Sequence, residues 1–341
     1  MRKRNRSRLN VWWQAFRYHY IPPSIFPATL GGLISWAVDK TFSLWYFSLV
    51  LAGVIINHMA LNMTDDYFDY KHSVDRLKPG EKNPYTGGSG TLTSGVITPV
   101  AMFKAFTLGY MITAAIGIYL TLERGWPILA FGLFGMFCSV FYTAPPISFS
   151  HHGLGELGLL VNFGSTIGLG SYFVQAQKLT LEAFLATLPC GIMLFSMIVI
   201  NEIPDYQEDM MAGKLTLVAR YGRRAGVKLY VLSWIFTYSV IVGAVAIRAM
   251  PPITLIALLS LPLAYRSIRV LREHYNDPAK MAPANLDMIK AHSINSLLLI
   301  AAYCLQGIIT GAEALQLVPF LSLLAVSYAP VALMLIKAGK S

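Results

Sequence analysis

Residues 44–75 read LWYFSLVLAGVIINHMALNMTDDYFDYKHSVD, an apolar stretch that ends in a cluster of acidic residues. The apolar part, 44–63, is as long as the roughly 20 residues that an α-helix needs to cross the hydrocarbon core of a bilayer. An ionised carboxylate at a membrane boundary is costly unless a cation or a substrate compensates its charge. The stretch therefore predicts a transmembrane helix with a charged function at one end.

The composition extends this interpretation to the whole chain. Of the 341 residues, 55% are hydrophobic and only 13% are charged, which is too little polar surface for a soluble protein of this size. We predict an all-α fold, a polytopic membrane helix bundle with cytoplasmic capping loops, in a single domain over residues 1–341. Nine or ten transmembrane helices are expected, since the last three of ten candidate spans are the least regular. The candidates are 22–38, 44–63, 99–121, 126–142, 155–176, 183–201, 228–247, 251–266, 292–311 and 316–336.

The basic residues predict how the bundle is oriented, because cytoplasmic loops carry the excess of Lys and Arg. With ten spans and both termini inside, most of the 27 basic residues fall on the cytoplasmic side. We predict a multi-pass protein of the inner (plasma) membrane with its charged site facing the cytoplasm. The net charge of +10 is then mainly an orientation signal, and no nucleic-acid partner is expected. Four basic residues fall outside: Lys40, Arg124, Lys178 and Arg248.

A second acidic cluster ends the sixth predicted span and repeats the design of the first. It reads NEIPDYQED over residues 201–209. Residues three or four apart share one face of a helix, so the polar side chains of each cluster should converge. The residues that share a face are Asn62, Asp66 and Asp69 in the first cluster and Asn201, Asp205 and Asp209 in the second.

Carboxylates this close together repel one another unless a divalent cation neutralises them. Mg²⁺ prefers oxygen ligands and often binds through one or two carboxylates plus substrate phosphates. The two clusters therefore predict bound Mg²⁺ and a diphosphate, and the DDxxD spacing is the one that prenyl-diphosphate enzymes use. Solvated surface acids explain one cluster more readily than two at matching spacing. The predicted metal ligands are Asp65, Asp66, Asp69, Asp205 and Asp209.

A long loop with basic residues and glycines follows the first cluster. Arg76, Lys78 and Lys82 lead into TGGSGTLTSG at 86–95. Cationic side chains and backbone amides can contact the phosphate oxygens that metal ions leave free. A plain flexible linker is the alternative for the glycines. In the loop after the second cluster, Arg223 and Arg224 are interpreted as possible orientation charges.

The order and spacing of these motifs resemble the UbiA superfamily of intramembrane prenyltransferases, and within it the 1,4-dihydroxy-2-naphthoate prenyltransferases of menaquinone synthesis. Relatives usually have an Asn-Asp pair where this chain has Asp65-Asp66, and often a Lys or Arg where it has Ser150, His151 and His152. The resemblance rests on Arg17 with Pro22-Pro23, NMTDDYFDYKHSVD at 62–75, TGGSGTLTSG at 86–95, FYTAPP at 141–146, GLGE at 153–156 and NEIPDYQEDMMAGKLTLVARYGR at 201–223.

The resemblance implies a bundle around a lipid-open cavity in which the allylic carbon–oxygen bond of a polyprenyl diphosphate ionises and an aromatic acceptor attacks the cation. Bound Mg²⁺ would stabilise the leaving diphosphate. Polyprenyl diphosphate, the aromatic acceptor and membrane lipid are the expected partners. The predicted catalytic residues are Asp66, Asp69, Asp205 and Asp209, and the predicted substrate-binding residues are Arg17, Asn62, Lys71, Arg76, Lys78, Tyr142 and Asn201.

Several alternatives stay open at this point. The acceptor could instead be 4-hydroxybenzoate, homogentisate, a tetrapyrrole or a glyceryl phosphate ether. A cation-coupled transporter would explain the repeated acidic motif as an internal repeat, although transporter acids usually lie near the bilayer midplane. The adjacent His151 and His152 suggest a zinc site, but no third ligand is close in sequence. The three cysteines predict neither a disulfide nor a metal site, because each lies alone in a different span: Cys138, Cys190 and Cys304.

Overall fold

The computed structural model describes residues 8–72 and 88–338, and every regular element in those residues is helical. The predicted all-α class is therefore confirmed. A nine-residue 3₁₀ segment, Pro252–Ser260, leads directly into the eleventh helix. The α-helices in the described part of the chain are α1 (Arg8–Ala15), α2 (Pro22–Ile34), α3 (Leu44–Lys71), α4 (Pro99–Arg124), α5 (Pro127–Val140), α6 (Gly155–Val161), α7 (Ile167–Ala176), α8 (Leu181–Met211), α9 (Leu217–Tyr221), α10 (Arg223–Ala246), α11 (Leu261–His274), α12 (Pro278–Ile309) and α13 (Leu317–Ala338).

Polar caps explain where several of these helices begin. The side chains of Ser43, Thr98 and Thr180 each accept a hydrogen bond from the backbone N–H three residues later, at 3.5, 3.2 and 3.2 Å. This N-cap arrangement satisfies a donor that would otherwise have no partner in the helix. Helices α4, α5 and α12 also have a proline in the first turn, where the missing N–H is not needed.

Seven helical segments are long and apolar enough to cross a membrane, and α2 would belong to an eighth if it forms one bent span with residues 9–20. All ten predicted apolar segments coincide with helices, but the predicted count of nine or ten crossings is not confirmed for the described residues. Helix α5 has only 14 residues and reaches about 21 Å at 1.5 Å per residue. The described apolar segment at residues 314–329 is similarly short.

Helix α8 lies at the centre of the bundle and α4 at its periphery. In the most apolar window of each helix, 78% of the residues of α8 are buried against 22% for α4. Bulky apolar side chains on peripheral elements face outward, among them Leu122 at 81% and Leu259 at 72% exposure. Such surfaces are unfavourable in water but expected where lipid is the solvent.

Glycines let α2 and α8 approach the pair α6 and α7 closely. A Cβ atom on Gly31 would lie 2.2 Å from the carbonyl oxygen of Gly168, and one on Gly191 would lie 2.2 Å from that of Leu160. Small residues at helix contacts of this kind are common in membrane proteins. Between α6 and α7 the chain forms one π-helical stretch, Asn162–Thr166, a distortion that often occurs near functional positions.

Candidate active site

The first acidic cluster occupies the last turns of α3, where side chains from distant segments contact it. Arg17 Nη1 lies 3.0 Å from Asp65 Oδ2 and 3.6 Å from Asp66 Oδ1. Thr143, from the loop after α5, donates a hydrogen bond of 2.7 Å to Asp65 Oδ1. Arg17 adopts a φ of 50°, a left-handed conformation that costs a non-glycine residue about 1–3 kcal/mol. Its contacts with the two carboxylates offset that strain.

Asp66 lies against the described end of the glycine-rich loop and is only 3% exposed. The backbone N–H of Ser89 donates to both carboxylate oxygens of Asp66, at 3.1 and 3.2 Å. Gln14 Nε2 donates to the carbonyl oxygen of Ser89 at 2.7 Å, which fixes the loop against α1. The loop is therefore held directly on the first cluster, with a backbone amide pointing at a carboxylate.

Asp69 is approached by one cation and one histidine. Lys214 Nζ lies 3.3 Å from Asp69 Oδ2, and His151 Nε2 lies 3.9 Å from Asp69 Oδ1. The second distance is too long for a hydrogen bond, and both of its atoms are buried without a hydrogen-bond partner among the described residues. Orphaned buried polar atoms of this kind call for an explanation such as an ion or a ligand group.

The second acidic cluster lies on the last turns of α8. Asp209 is 7% exposed. Asn285, on α12, donates a hydrogen bond of 2.8 Å from Nδ2 to Asn201 Oδ1. That bond orients the amide of Asn201. Helix α12 therefore contributes Asn285 to the site, although no acidic motif was predicted on this helix.

Lys214 brings the two clusters into one site. Its ammonium group lies 3.3 Å from Asp69 of the first cluster, and the negative charges of Asp65 and of Asp209, in the second cluster, also act on it. Burial opposes the charge of Lys214, but these carboxylates outweigh the burial and hold the pKa of Lys214 well above its ordinary value. Lys214 therefore stays protonated between the clusters at physiological pH.

Tyr20 makes a second connection between the clusters. The guanidinium carbon of Arg17 lies 4.9 Å from the centre of the Tyr20 ring, and Tyr20 is also within electrostatic reach of Asp205. The segment before α2 thus reaches from the end of α3 to the end of α8.

The GLGE motif supports the loop that carries Lys214. Glu156 Oε1 accepts a hydrogen bond of 2.7 Å from the N–H of Leu217, and Glu202 Oε2 accepts one of 3.4 Å from the N–H of Val218. These two backbone donors are at the start of α9, where a helix has no internal acceptors for them. Carboxylates at a helix N-terminus are also favoured by its dipole, so Glu156 and Glu202 hold the 212–221 segment over the site.

The other predicted site residues have contacts of their own. Lys71 is exposed, and its ammonium group lies 4.7 Å from the centre of the Tyr67 ring. Asn62 Nδ2 donates 3.0 Å to the carbonyl oxygen of Phe16, which holds the segment before α2 against α3. Tyr142 is half-buried beside Lys214. Arg76 and Lys78 lie outside the described residues.

Among the residues that build this site and that sequence reasoning missed are Lys214, Thr143, Glu156 and Asn285. Lys214 stands in a loop whose basic residues carried a ready explanation as orientation charges. The sequence feature that could have identified Lys214 is its position only five residues after Asp209. A helix end followed by a tight turn places such a residue beside the cluster. The φ of 69° at Gly213 provides that turn, since glycine adopts it without strain.

The donor chemistry of the site fits Mg²⁺. Among the described residues, no three His, Cys, Asp or Glu side chains are grouped to hold a metal ion, which leaves the zinc interpretation of His151 and His152 without a third ligand. Mg²⁺ does not need such a group, because it typically binds through one or two carboxylates plus phosphates and water. The unpartnered Oδ1 of Asp69 is a suitable hard oxygen ligand.

Comparison with known proteins gives this geometry a family. The UbiA prenyltransferase family matches residues 24–294, a region that contains both acidic clusters and Lys214. The chain belongs to this family. The resemblance predicted from the motifs is confirmed, and the enzyme interpretation is favoured over the transporter. As a UbiA family member with several apolar spans, the chain is a multi-pass membrane prenyltransferase.

Individual relatives are similar at modest identity. A 1,4-dihydroxy-2-naphthoate octaprenyltransferase from Bacillus subtilis is 26% identical over 76% of this chain and 81% of its own length. A 2-carboxy-1,4-naphthoquinone phytyltransferase from Synechocystis is 22% identical over 87% of this chain and 94% of its own length. Among solved structures, a UbiA homologue from Archaeoglobus fulgidus bound to DMAPP and Mg²⁺ matches with a TM-score of 0.66 and 14% identity, over 86% of this chain and 98% of that one.

Proposed function

We propose that this chain transfers a polyprenyl group from a prenyl diphosphate to 1,4-dihydroxy-2-naphthoate, a step of menaquinone biosynthesis. The pair of acidic helix ends that share Lys214 carries the proposal, because it offers carboxylates for metal ions and cations for phosphate oxygens in one place. The choice of acceptor is supported by the relatives from Bacillus subtilis and Escherichia coli, both named as 1,4-dihydroxy-2-naphthoate octaprenyltransferases.

Mg²⁺ is the proposed cofactor. When bound, it supplies positive charge that stabilises the diphosphate as the allylic carbon–oxygen bond breaks. Asp66 and Asp69 would hold one ion and Asp205 and Asp209 another, with Asp65 as a further ligand of the first.

The cations of the site have two successive roles in this proposal. Without substrate, Arg17 and Lys214 partly compensate the carboxylates of the first cluster, as their distances of 3.0 and 3.3 Å indicate. With substrate, the guanidinium group of Arg17 and the ammonium group of Lys214 would donate to phosphate oxygens, and bound Mg²⁺ would compensate the carboxylates in their place. His151 Nε2 is a further donor, since it lies unpartnered beside Asp69. Lys71, Arg76 and Lys78 are proposed as outer contacts of the diphosphate.

Polar and aromatic residues complete the proposed substrate site. Asn201, oriented by Asn285 at 2.8 Å, and Asn62 orient metal ligands or phosphate oxygens. Tyr142 shields the allylic cation from water and presents its ring face to it. Because the reaction leaves a carbocation, exclusion of water decides whether the aromatic ring or water attacks.

We also propose that the site faces the cytoplasm from the plasma membrane. The support is positional: Lys214, Arg220, Arg223 and Arg224 all lie in the segment that follows the second acidic cluster, and basic residues accumulate on the cytoplasmic side. Water-soluble Mg²⁺ and the diphosphate head group are then accessible, while the prenyl chain lies among the helices.

A transfer assay tests the proposal. Purified protein in nanodiscs receives Mg²⁺, a labelled polyprenyl diphosphate and one acceptor at a time: the naphthoate, 4-hydroxybenzoate, homogentisate or a glyceryl phosphate ether. We expect a prenylated product with the naphthoate at a rate well above the others. Equal or faster transfer to another acceptor would replace the naphthoate, and absence of transfer to all of them would contradict the reaction itself.

A further inference from the structure

His58 lies in the interior of the bundle, on α3 but deeper in the membrane than Asp66. It is only 6% exposed and is held from two directions. Its Nδ1 lies 2.7 Å from the Oγ atom of Ser24, which is on α2. Its ring meets the ring of Phe163, in the π-helical stretch, edge to face with centroids 5.0 Å apart. The fold therefore fixes the orientation of the imidazole.

The remaining nitrogen of His58 is open. Its Nε2 has no hydrogen-bond partner among residues 8–72 and 88–338, yet it is accessible. The Nε2 of His292, by contrast, is completely buried without a partner among the same residues. Because every residue of α2 is buried and α2 contacts His58, the accessible nitrogen faces the interior of the bundle. A polar atom in such a position calls for a partner from outside the described chain.

Asn62 presents a second open polar atom, one helical turn nearer the acidic cluster. It is 4% exposed, and its Nδ2 donates to the carbonyl oxygen of Phe16. Its Oδ1 is accessible and has no partner in the part of the chain that the structure describes. Residues four apart share one face of a helix, so His58, Asn62 and Asp66 form a row along α3. This row leads from the carboxylates into the interior.

The depth of His58 excludes the diphosphate as its partner. Eight residues separate it from Asp66, about 12 Å along an α-helix, and helical side chains all lean toward the N-terminus, so the separation is kept. The charge of Arg17 still acts on the His58 ring, which places the ring within electrostatic reach of the site. The allylic carbon is bonded directly to the diphosphate. An aromatic ring that attacks this carbon from the interior would lie at the depth of Asn62 and His58.

The hydrogen-bonding chemistry of the open nitrogen selects the ligand. Prenyl and acyl chains have no hydrogen-bonding group. Nε2 accepts when Nδ1 donates to Ser24, and it donates when the Ser24 hydroxyl donates to Nδ1; the 2.7 Å contact is compatible with both tautomers. A hydroxyl group suits either tautomer because it both donates and accepts. A carboxylate suits only the second.

We propose that His58 binds a ring hydroxyl of the aromatic acceptor and thereby determines how the ring is presented to the allylic carbon. Ser24 and Phe163 are positioning residues, since they hold the imidazole with Nε2 open. This inference rests on the proposed function in one respect, that the acceptor is a hydroxylated aromatic ring.

A double-mutant cycle between protein and ligand tests the contact. Equilibrium binding of three tritiated probes is measured on the full-length protein in nanodiscs, with Mg²⁺ and an unreactive prenyl thiodiphosphate. The probes are 1,4-dihydroxy-2-naphthoate, 1-hydroxy-2-naphthoate and 4-hydroxy-2-naphthoate. We expect the loss of one particular hydroxyl to weaken binding to the wild type about tenfold, as one hydrogen bond would give. The same loss should have no further effect in His58→Phe.

The protein variants separate this contact from packing. His58→Phe should weaken the dihydroxy probe about tenfold and change binding of the prenyl thiodiphosphate less than twofold. His58→Gln should recover most of the loss, because its amide also donates and accepts. His292→Phe is the matched control and should leave both affinities unchanged. His292 is likewise buried beside a phenylalanine, with ring centroids 5.5 Å apart to Phe26, but its Nε2 is not accessible.

Three results would overturn the proposal. The first is that neither hydroxyl is coupled to His58, so that the effects of ligand and protein changes add. The second is an equal loss of both ligands in His58→Phe and His58→Gln, which would assign His58 to packing alone. The third is that none of the three probes binds in the presence of the thiodiphosphate.

A parallel transfer assay distinguishes this inference from the proposed function. If the wild-type protein prenylates the naphthoate but the cycle shows no coupling, only the His58 assignment fails. If the probes bind with coupling to His58 but no acceptor is prenylated, the proposed function fails and the contact stands.

Discussion

The two acidic helix ends share a sequence pattern but not an environment. At the end of α3, carboxylates are contacted by Arg17, Ser89, Thr143 and Lys214, which come from four segments widely separated in the sequence. At the end of α8, the contacts of Glu202 and Asn201 are with two other segments. Glu202 contacts the start of α9, and Asn201 contacts α12.

The two clusters therefore differ in how they are assembled. The first cluster is assembled by tertiary structure and surrounded by the groups that would donate to phosphate oxygens. The second lies on one helix, is followed by the loop that carries Lys214, and is contacted by Asn285 of α12. The same carboxylate spacing thus occurs in two different surroundings, and the experiments below test whether the two ends also differ in function.

Removal of divalent metal should have the largest effect, because it disables both ends at once. Chelation with EDTA is expected to abolish prenyl transfer, and added Mg²⁺ or Mn²⁺ should restore it, since the carboxylates are hard oxygen ligands. The measurement is labelled product formed before and after metal is restored. Full turnover in excess EDTA would contradict the metal assignment for both clusters.

Single amide substitutions compare the clusters directly. Asp66→Asn and Asp205→Asn should each lower turnover by about 10²-fold or more, as loss of charge stabilisation at a leaving group typically does. Glu123→Gln is the control, because Glu123 is an exposed carboxylate near Tyr46 at the opposite end of the bundle. Near wild-type turnover in one of the two aspartate variants would restrict the metal site to the other cluster.

Loss of the shared cation should be nearly as severe. Lys214→Met is expected to lower turnover by about 10²-fold and Lys214→Arg by less, since a positive charge remains. Lys178→Met provides the control, because Lys178 also forms an ion pair, at 2.6 Å with Asp39, but away from the site. If Lys214→Met and Lys178→Met were equally active, Lys214 would only be an orientation charge.

The two neighbouring histidines should respond differently to substitution. His151→Ala is expected to lower turnover about tenfold, the loss of one hydrogen bond, and His151→Lys should recover most of it. His152→Ala should stay within about twofold, since His152 is exposed and its Nδ1 lies 3.0 Å from the carbonyl oxygen of Ser148. Equal effects of the two alanine substitutions would remove His151 from the site.

Single-cysteine labelling perturbs the protein least and tests which side of the membrane the two clusters face. In a background without the three native cysteines, Thr93→Cys and Met211→Cys should react with an impermeant maleimide only in opened cells, because each flanks one cluster.

Leu179→Cys, at the opposite end, should react in intact cells. All three positions are exposed, so a failure to react reports the membrane and not burial. Labelling of position 93 or 211 in intact cells would overturn the proposed orientation. If only one of the two positions reacted, the two clusters would lie on different sides of the membrane.

Sequence reasoning located the helices better than it counted the membrane crossings. Each of the ten predicted apolar segments lies on a helix, because apolar length and polar boundaries are local properties. Whether 14-residue α5 crosses the bilayer is not a local property, since its neighbours determine its depth and tilt. The π-helical stretch at Asn162–Thr166 was likewise not predicted, because its five residues, NFGST, do not differ in pattern from an α-helical turn.

The sequence by itself determined the all-helical membrane class, the two acidic helix ends and the family, since hydropathy, spacing and motif order are all written along one chain. Tertiary structure alone decided which cation meets which carboxylate. Arg17 reaches Asp65 across 48 residues, and Lys214 reaches Asp69 across 145. Charge interactions depend on distance in space and on burial, and neither quantity can be calculated from position in the sequence. For the same reason, the sequence did not distinguish Lys214 from the other 26 basic residues, whereas the fold places it between both clusters.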